Sequence, residues 1–263
     1  VPQVRKMVFE TNPACDPAMV CSIPLSAHGF DLYANAVLGL TAARNGMIHG
    51  LAGSDSFRLF RLRHDKALEI LADIPAAREI LNGNVIVAHE DSVFCVGDCV
   101  FRWTSTGGLK QFAVLEEGQR PVALAVDGLN ARLFVLAEPA HVLQVLDLAS
   151  GHEIKRIELG GYVCSRWIKA TADGCLYGFE ANAGIYKVDL RLQKVTLSGK
   201  IACLRGTEFI AECTSLSEEA EGAIWGGTRE GYLFSIALAD DKVTHHGKPG
   251  NFYLKGVTAL GGR

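Results

Sequence analysis

One unit returns five times along this chain, and its period constrains the fold more than any other feature. A small-residue turn leads into a short apolar strand, often ending in Gly, and then into a second strand of apolar character. The copies read Asn45-Gly46-Met47-Ile48-His49-Gly50 with Phe57 to Leu62, and Ser92-Val93-Phe94-Cys95-Val96-Gly97 with Val100 to Trp103. They continue as Ala131 to Val135 with Val142 to Asp147, Asp173 to Gly178 with Gly184 to Asp189, and Glu221 to Gly226 with Gly231 to Ile236. With Leu59, Val100, Leu143, Ile185 and Leu233 as equivalent positions, the intervals are 41, 43, 42 and 48 residues. A period of roughly 40–50 residues is that of one four-stranded blade of a β-propeller.

Each copy has room for the two remaining strands. An apolar segment precedes it, such as Ala36 to Leu40, Val122 to Val126 or Val257 to Leu260; a polar outer strand follows, such as Glu153 to Leu159 or Lys242 to His246. Side chains alternate between the faces of a strand. Inner strands packed between neighbouring blades therefore read as nearly continuous apolar runs, and the outermost strand alternates. A β-sandwich would not repeat a whole four-strand unit at constant period. The reading is all-β: a single β-propeller over residues 1–263, built of four-stranded antiparallel blades. Six blades are expected, with seven in a longer parent chain as the alternative. Val4 to Glu10 and Met19 to Pro24 would be the third and fourth strands of a composite blade and Tyr253 to Leu260 its first, which removes an exposed sheet edge. Trp103, Trp225, Tyr177 and Tyr186 fall at matching strand positions and are read as blade core.

The Asp/Glu-Gly-x-Ile/Leu-Tyr/Trp-Gly and Leu/Ile-Phe/Tyr-x-Ile/Val-Asp patterns in these copies resemble the blades of bacterial quinoprotein-like and polysaccharide-lyase propellers. The resemblance is architectural, since such motifs report blade packing rather than activity.

Composition excludes several classes. Net charge is −3, which leaves no overall basic footprint for nucleic acid. The longest nearly apolar run, Tyr33 to Ala43, is short of the roughly 18 residues that span a bilayer. Eight cysteines fall in couples, Cys15/Cys21, Cys95/Cys99, Cys164/Cys175 and Cys203/Cys213, none with Cys-x-x-Cys spacing. They read either as local disulfides of an oxidising compartment or as small buried hydrophobes. His245-His246 is no metal pair, because neighbouring strand residues face opposite ways. No motif implies a cofactor.

Function in such a ring is expected on the loops that carry one blade's outer strand to the next blade's inner strand. These are Leu25 to Asn35, Pro75 to Gly83, Glu116 to Pro121, Gly160 to Ile168, Cys203 to Phe209 and Gly247 to Lys255. They carry Arg78, Arg120, Arg166, Arg205, Lys248 and Lys255, a basic set whose guanidinium forks could bind a carboxylate, sulfate or phosphate. Four acidic residues, Glu79, Glu116, Glu117 and Glu208, share those loops. Trp167 beside Arg166 is a candidate platform for a sugar ring. The first reading is therefore a binding module, with a small molecule, an oligosaccharide or a protein partner held at the mouth of the central channel. The alternative is a lyase acting on uronate-containing sugars. His28 and Tyr33 would be its base and acid and an arginine would neutralise the carboxylate, the kind of constellation the resemblance to propeller lyases implies.

Overall fold

The computed structural model describes residues 3–8, 18–24, 37–43, 45–53, 56–63, 68–77, 79–81, 83–139, 142–159, 164–180, 184–190, 194–200, 202–203, 209–210, 213–228 and 231–248. Strands β1 (Gln3–Val8) and β2 (Ala18–Pro24) form a hairpin. Five antiparallel four-stranded sheets follow. Sheet 1 is β3 (Val37–Ala42), β4 (Ile48–Gly53), β5 (Phe57–Leu62) and β6 (Leu68–Ile74); sheet 2 is β7 (Ile86–His89), β8 (Ser92–Val96), β9 (Val100–Thr104) and β10 (Gly108–Ala113). Sheet 3 is β11 (Arg120–Asp127), β12 (Arg132–Glu138), β13 (Val142–Asp147) and β14 (Glu153–Glu158). Sheet 4 is β15 (Cys164–Ala170), β16 (Cys175–Glu180), β17 (Gly184–Asp189) and β18 (Lys194–Lys200). A small pair, β19 (Ala202–Cys203) and β20 (Phe209–Ile210), precedes sheet 5, which is β21 (Cys213–Ala220), β22 (Ala223–Thr228), β23 (Leu233–Ala237) and β24 (Val243–Gly247).

The protein is a β-propeller, all-β among the described residues. Among the described residues five blades stand where six were expected. The β1–β2 hairpin occupies the stretch assigned to the third and fourth strands of a composite blade, and the expected first strand, Tyr253 to Leu260, lies outside the described residues. The extra β19–β20 pair accounts for the longest interval in the repeat, between Ile185 and Leu233.

Burial follows the strand pattern. Inner and middle strands are buried on both faces, as in β8 and β13, while the outer strands β10, β14 and β24 keep exposed positions. One apolar cluster joins sheets 1, 2 and 3, a second joins sheets 3 and 4, and a third joins sheets 4 and 5. Trp103, Tyr177 and Tyr186 are buried as the repeat implies, but Trp225 is only half-buried and stacks on His246 with ring centroids 4.5 Å apart.

The strand-end glycines of the motif serve packing rather than turning. Gly50, Gly178 and Gly226 pair across the sheet with Phe60, Tyr186 and Phe234, and a Cβ at any of the three would run into the ring opposite. At the same register sheet 2 has Cys95 opposite Phe101, and sheet 3 has Val135 opposite Gln144. Cys95, Cys99, Cys175 and Cys213 are free and buried, so Cys95/Cys99, Cys164/Cys175 and Cys203/Cys213 are not disulfides. Burial pushes the Cys99 thiol up to about 11, which leaves it protonated at neutral pH. No helix among the described residues is long and apolar enough to cross a membrane.

The inner strands meet at Asn84, which is 8% exposed. Its carbonyl accepts from Leu124 N–H at 2.7 Å, its N–H donates to the Arg166 carbonyl at 2.8 Å, and its side-chain Oδ1 accepts from Ile168 N–H at 3.0 Å. Next to it, Gly83 N–H donates to the Leu38 carbonyl at 3.3 Å. Four inner segments, from sheets 1, 2, 3 and 4, are thus tied together at one point. Gly83 has to be glycine for this, since a Cβ would collide with the Arg166 main chain.

Candidate ligand site at the mouth of the ring

Beside that junction a cavity of about 190 Å³ opens, at the end where outer strands return to the next inner strand. Its walls come from the β6–β7 loop, the β8–β9 turn, the β10–β11 loop and the first part of β15. Two of the sequence candidates, Arg120 and Arg166, line it together.

Strand register positions them. Arg120 opens β11 and pairs with Glu138 at the end of β12. The Arg120 guanidinium donates to Glu138 Oε2 at 3.0 Å, and Arg166 donates to Glu138 Oε1 at 3.4 Å. One carboxylate therefore holds two forks, all three side chains being partly buried. Alternation along β15 decides which residue reaches the cavity. Ile168, two residues on from Arg166, joins the cluster of sheets 3 and 4, while Trp167 joins the cluster of sheets 4 and 5. Trp167 is 7% exposed, so the expected sugar platform is a core residue. The sequence places 160–168 in a loop, whereas β15 already begins at Cys164 and its residues from Trp167 to Ala170 are all buried.

The loop from β10 to β11 is braced from inside sheet 3. Gln144 is 2% exposed, and its Nε2 donates to Gln119 Oε1 at 3.2 Å; Gln119 N–H in turn donates to the Glu116 carbonyl at 3.0 Å. Gln144 stands where sheets 1, 4 and 5 carry the aromatic ring over a glycine, so sheet 3 exchanges a packing residue for one that fixes a cavity wall. The cavity lining also carries two exposed acids. Asp98 and Glu79 line the cavity, and Asp98 Oδ1 accepts from Ala77 N–H at 2.7 Å.

His28, Tyr33, Arg78, Arg205 and Lys255 lie outside the described residues. Lys248 sits with Nζ 4.6 Å from the centre of the Tyr232 ring. Among the described residues no group of three or more His, Cys, Asp or Glu side chains is arranged to hold a metal ion. The residues that sequence reasoning missed are Glu138, Asp98 and Gln144. Two of them carried a signal: Glu138 faces Arg120 once the β11–β12 hairpin is put in register, and Gln144 breaks the aromatic position of the repeat.

No protein-family model and no curated protein matches this chain. Solved structures do match in fold. A chain of a nidogen/laminin complex aligns over 97% of this chain and 94% of its own length, with TM-score 0.65 and 10% identity. The β-propeller domain of Swd1 from Myceliophthora thermophila aligns over 98% and 92%, with TM-score 0.62 and 9% identity. A Bacteroides thetaiotaomicron protein of unknown function aligns over 88% and 66%, with TM-score 0.62 and 14% identity. At these identities the likeness is one of fold, and it places the chain among the β-propellers.

Proposed function

We propose that this propeller is a binding module whose recognition site is the cavity at the mouth of the ring, and that its ligand is small and charged. The observation that carries the reading is the convergence of Arg120 and Arg166 on one cavity. Guanidinium groups held by a shared carboxylate are oriented in advance, which lowers the ordering cost of binding. Both arginines retain N–H donors beyond those used by Glu138. Their partial neutralisation favours recognition of a single carboxylate over the capture of a polyanion, and so supports a binding module over a lyase on acidic sugars. A protein partner is a second reading, favoured by the structural similarity to a chain from a nidogen/laminin complex. Such a partner would place a charged side chain or terminus in the same cavity.

The test is thermal unfolding of the purified chain with L-leucine, glucuronate, acetate and inorganic phosphate, each at millimolar concentration. At least one is expected to raise the midpoint of the wild type, with the rise lost in Arg166→Ala. No rise with any compound, or a rise that persists in Arg120→Ala/Arg166→Ala, would overturn the reading.

A further inference from the structure

Resting on that reading, we infer that the cavity takes an α-amino acid with an apolar side chain, bound as its zwitterion. Its carboxylate lies against Arg120 and Arg166, and its ammonium against Asp98 and Glu79.

Charge comes first. The cavity wall carries two cations, Arg120 and Arg166, and two anions, Asp98 and Glu79. Glu138 stands behind the arginines and draws on both. A dianion such as phosphate would gain from two guanidiniums already shared with a carboxylate and would meet two more carboxylates at the rim. A ligand carrying one charge of each sign matches both kinds of lining group. Depth orders the two ends: the arginines are partly buried, whereas Asp98 and Glu79 are exposed at the rim. Asp98 is also fixed in direction by its bond from Ala77 N–H.

Size and lining supply the rest. At about 190 Å³ the cavity is smaller than the roughly 300–1,000 Å³ of sites for drug-sized ligands. Val85, Val96, Val122 and Ile80 contribute buried apolar surface to its lining, which suits an aliphatic or aromatic side group. A neutral sugar would find no stacking face here, because Trp167 is closed into the core.

The test is titration calorimetry of the whole chain with L-leucine, 4-methylpentanoate, which lacks the ammonium, and 3-methylbutylamine, which lacks the carboxylate. Leucine is expected to bind, and each truncated ligand to bind weaker by roughly tenfold or more, the effect of one lost charge-assisted contact. Asp98→Asn keeps the Oδ1 acceptor for Ala77 and removes the charge. It should weaken leucine by roughly tenfold and leave 4-methylpentanoate unchanged or tighter, a change of opposite sign that a folding defect would not produce. Glu79→Gln should act in the same direction. Equal affinity for leucine and 4-methylpentanoate would overturn the inference in favour of a plain carboxylate site. Glucuronate or phosphate displacing leucine at the arginines would overturn it while leaving the proposed binding function standing. No binding by any of these compounds would remove both.

Discussion

The two ends of the ring are built by different means. At one end strands are joined by short turns that complete their own hydrogen bonds. Asp127 accepts from the Asn130 main chain at 3.1 Å and its side chain at 2.7 Å, and Ala131 follows at φ 51°. Asp147 accepts from Ser150 N–H at 2.8 Å before Gly151 at φ 76°, and Asn45 accepts from Met47 N–H around Gly46, also at φ 76°. These are the side-chain-capped turns that Asp, Asn and Gly favour. At the other end, the contacts that matter join distant parts of the chain: Arg120 to Glu138, Arg166 to Glu138, Asn84 to Ile168. The turns at 127–131 and 45–47 are fixed by their own side chains, and elsewhere at this end a neighbour adds to the turn, as where Asp241 between β23 and β24 accepts from Tyr177 Oη and Lys187 Nζ of sheet 4; the mouth exists only once several sheets have assembled around it. The proposed recognition site is accordingly at the mouth, where groups from different sheets line one cavity.

The largest expected effect belongs to a buried polar contact between sheets 1 and 2, close to the turn end. His49 is 3% exposed, its ring lies 6.1 Å from that of Trp103, and its Nδ1 has no hydrogen-bond partner among the described residues. Burial, then the neighbouring Arg61 guanidinium, depresses its pKa to about 4 from an ordinary 6.5. A depressed folded-state pKa means that the unfolded chain takes up the proton first. The stabilisation is complete above about pH 6.5 and is lost as pH falls toward 4, by up to about 3 kcal/mol. Urea unfolding at pH 7 and pH 4.5 should show this loss, and His49→Phe should remove it. An identical pH slope in both proteins would mean that His49 is not held neutral.

Next in size is Asn84→Ala, which leaves the buried Ile168 N–H without an acceptor and should cost about 1–3 kcal/mol. Asp127→Ala, which unfastens a single local turn, should cost about 1 kcal/mol. Denaturant midpoints at pH 7 measure both. A larger loss for Asp127→Ala than for Asn84→Ala would break the contrast between a locally fixed end and an assembled one.

The same contrast explains what was legible in the sequence. The five blades were, because the period, the capped turns and the apolar strands are local signals repeated five times over. The β11–β14 sheet and strands β22–β24 fall within a few residues of the expected strands. The blade count was less legible: β19–β20 obeys no repeat, and the composite blade depends on pairing the two ends of the chain. The strand-end glycines are legible as a pattern but not as a demand: at Gly50, Gly178 and Gly226 it comes from a ring on the neighbouring strand, which only register reveals. The site was half legible. Arg120 and Arg166 stand out as basic residues near blade junctions, and the β11–β12 register sets Glu138 against Arg120, whereas the contact of Glu138 with Arg166, 28 residues on, becomes visible only after folding. Trp167 was misread for the reason that gave Arg166 its place, since adjacent residues of one strand face different sheets.

Amide hydrogen exchange of the whole chain, with and without saturating L-leucine, tests the central claim most directly. Added protection is expected in 79–85 and 116–122 at the mouth, with no change in the turns at 128–131 and 148–151. Protection at those turns with none at the mouth, or no change anywhere despite measured binding, would contradict it.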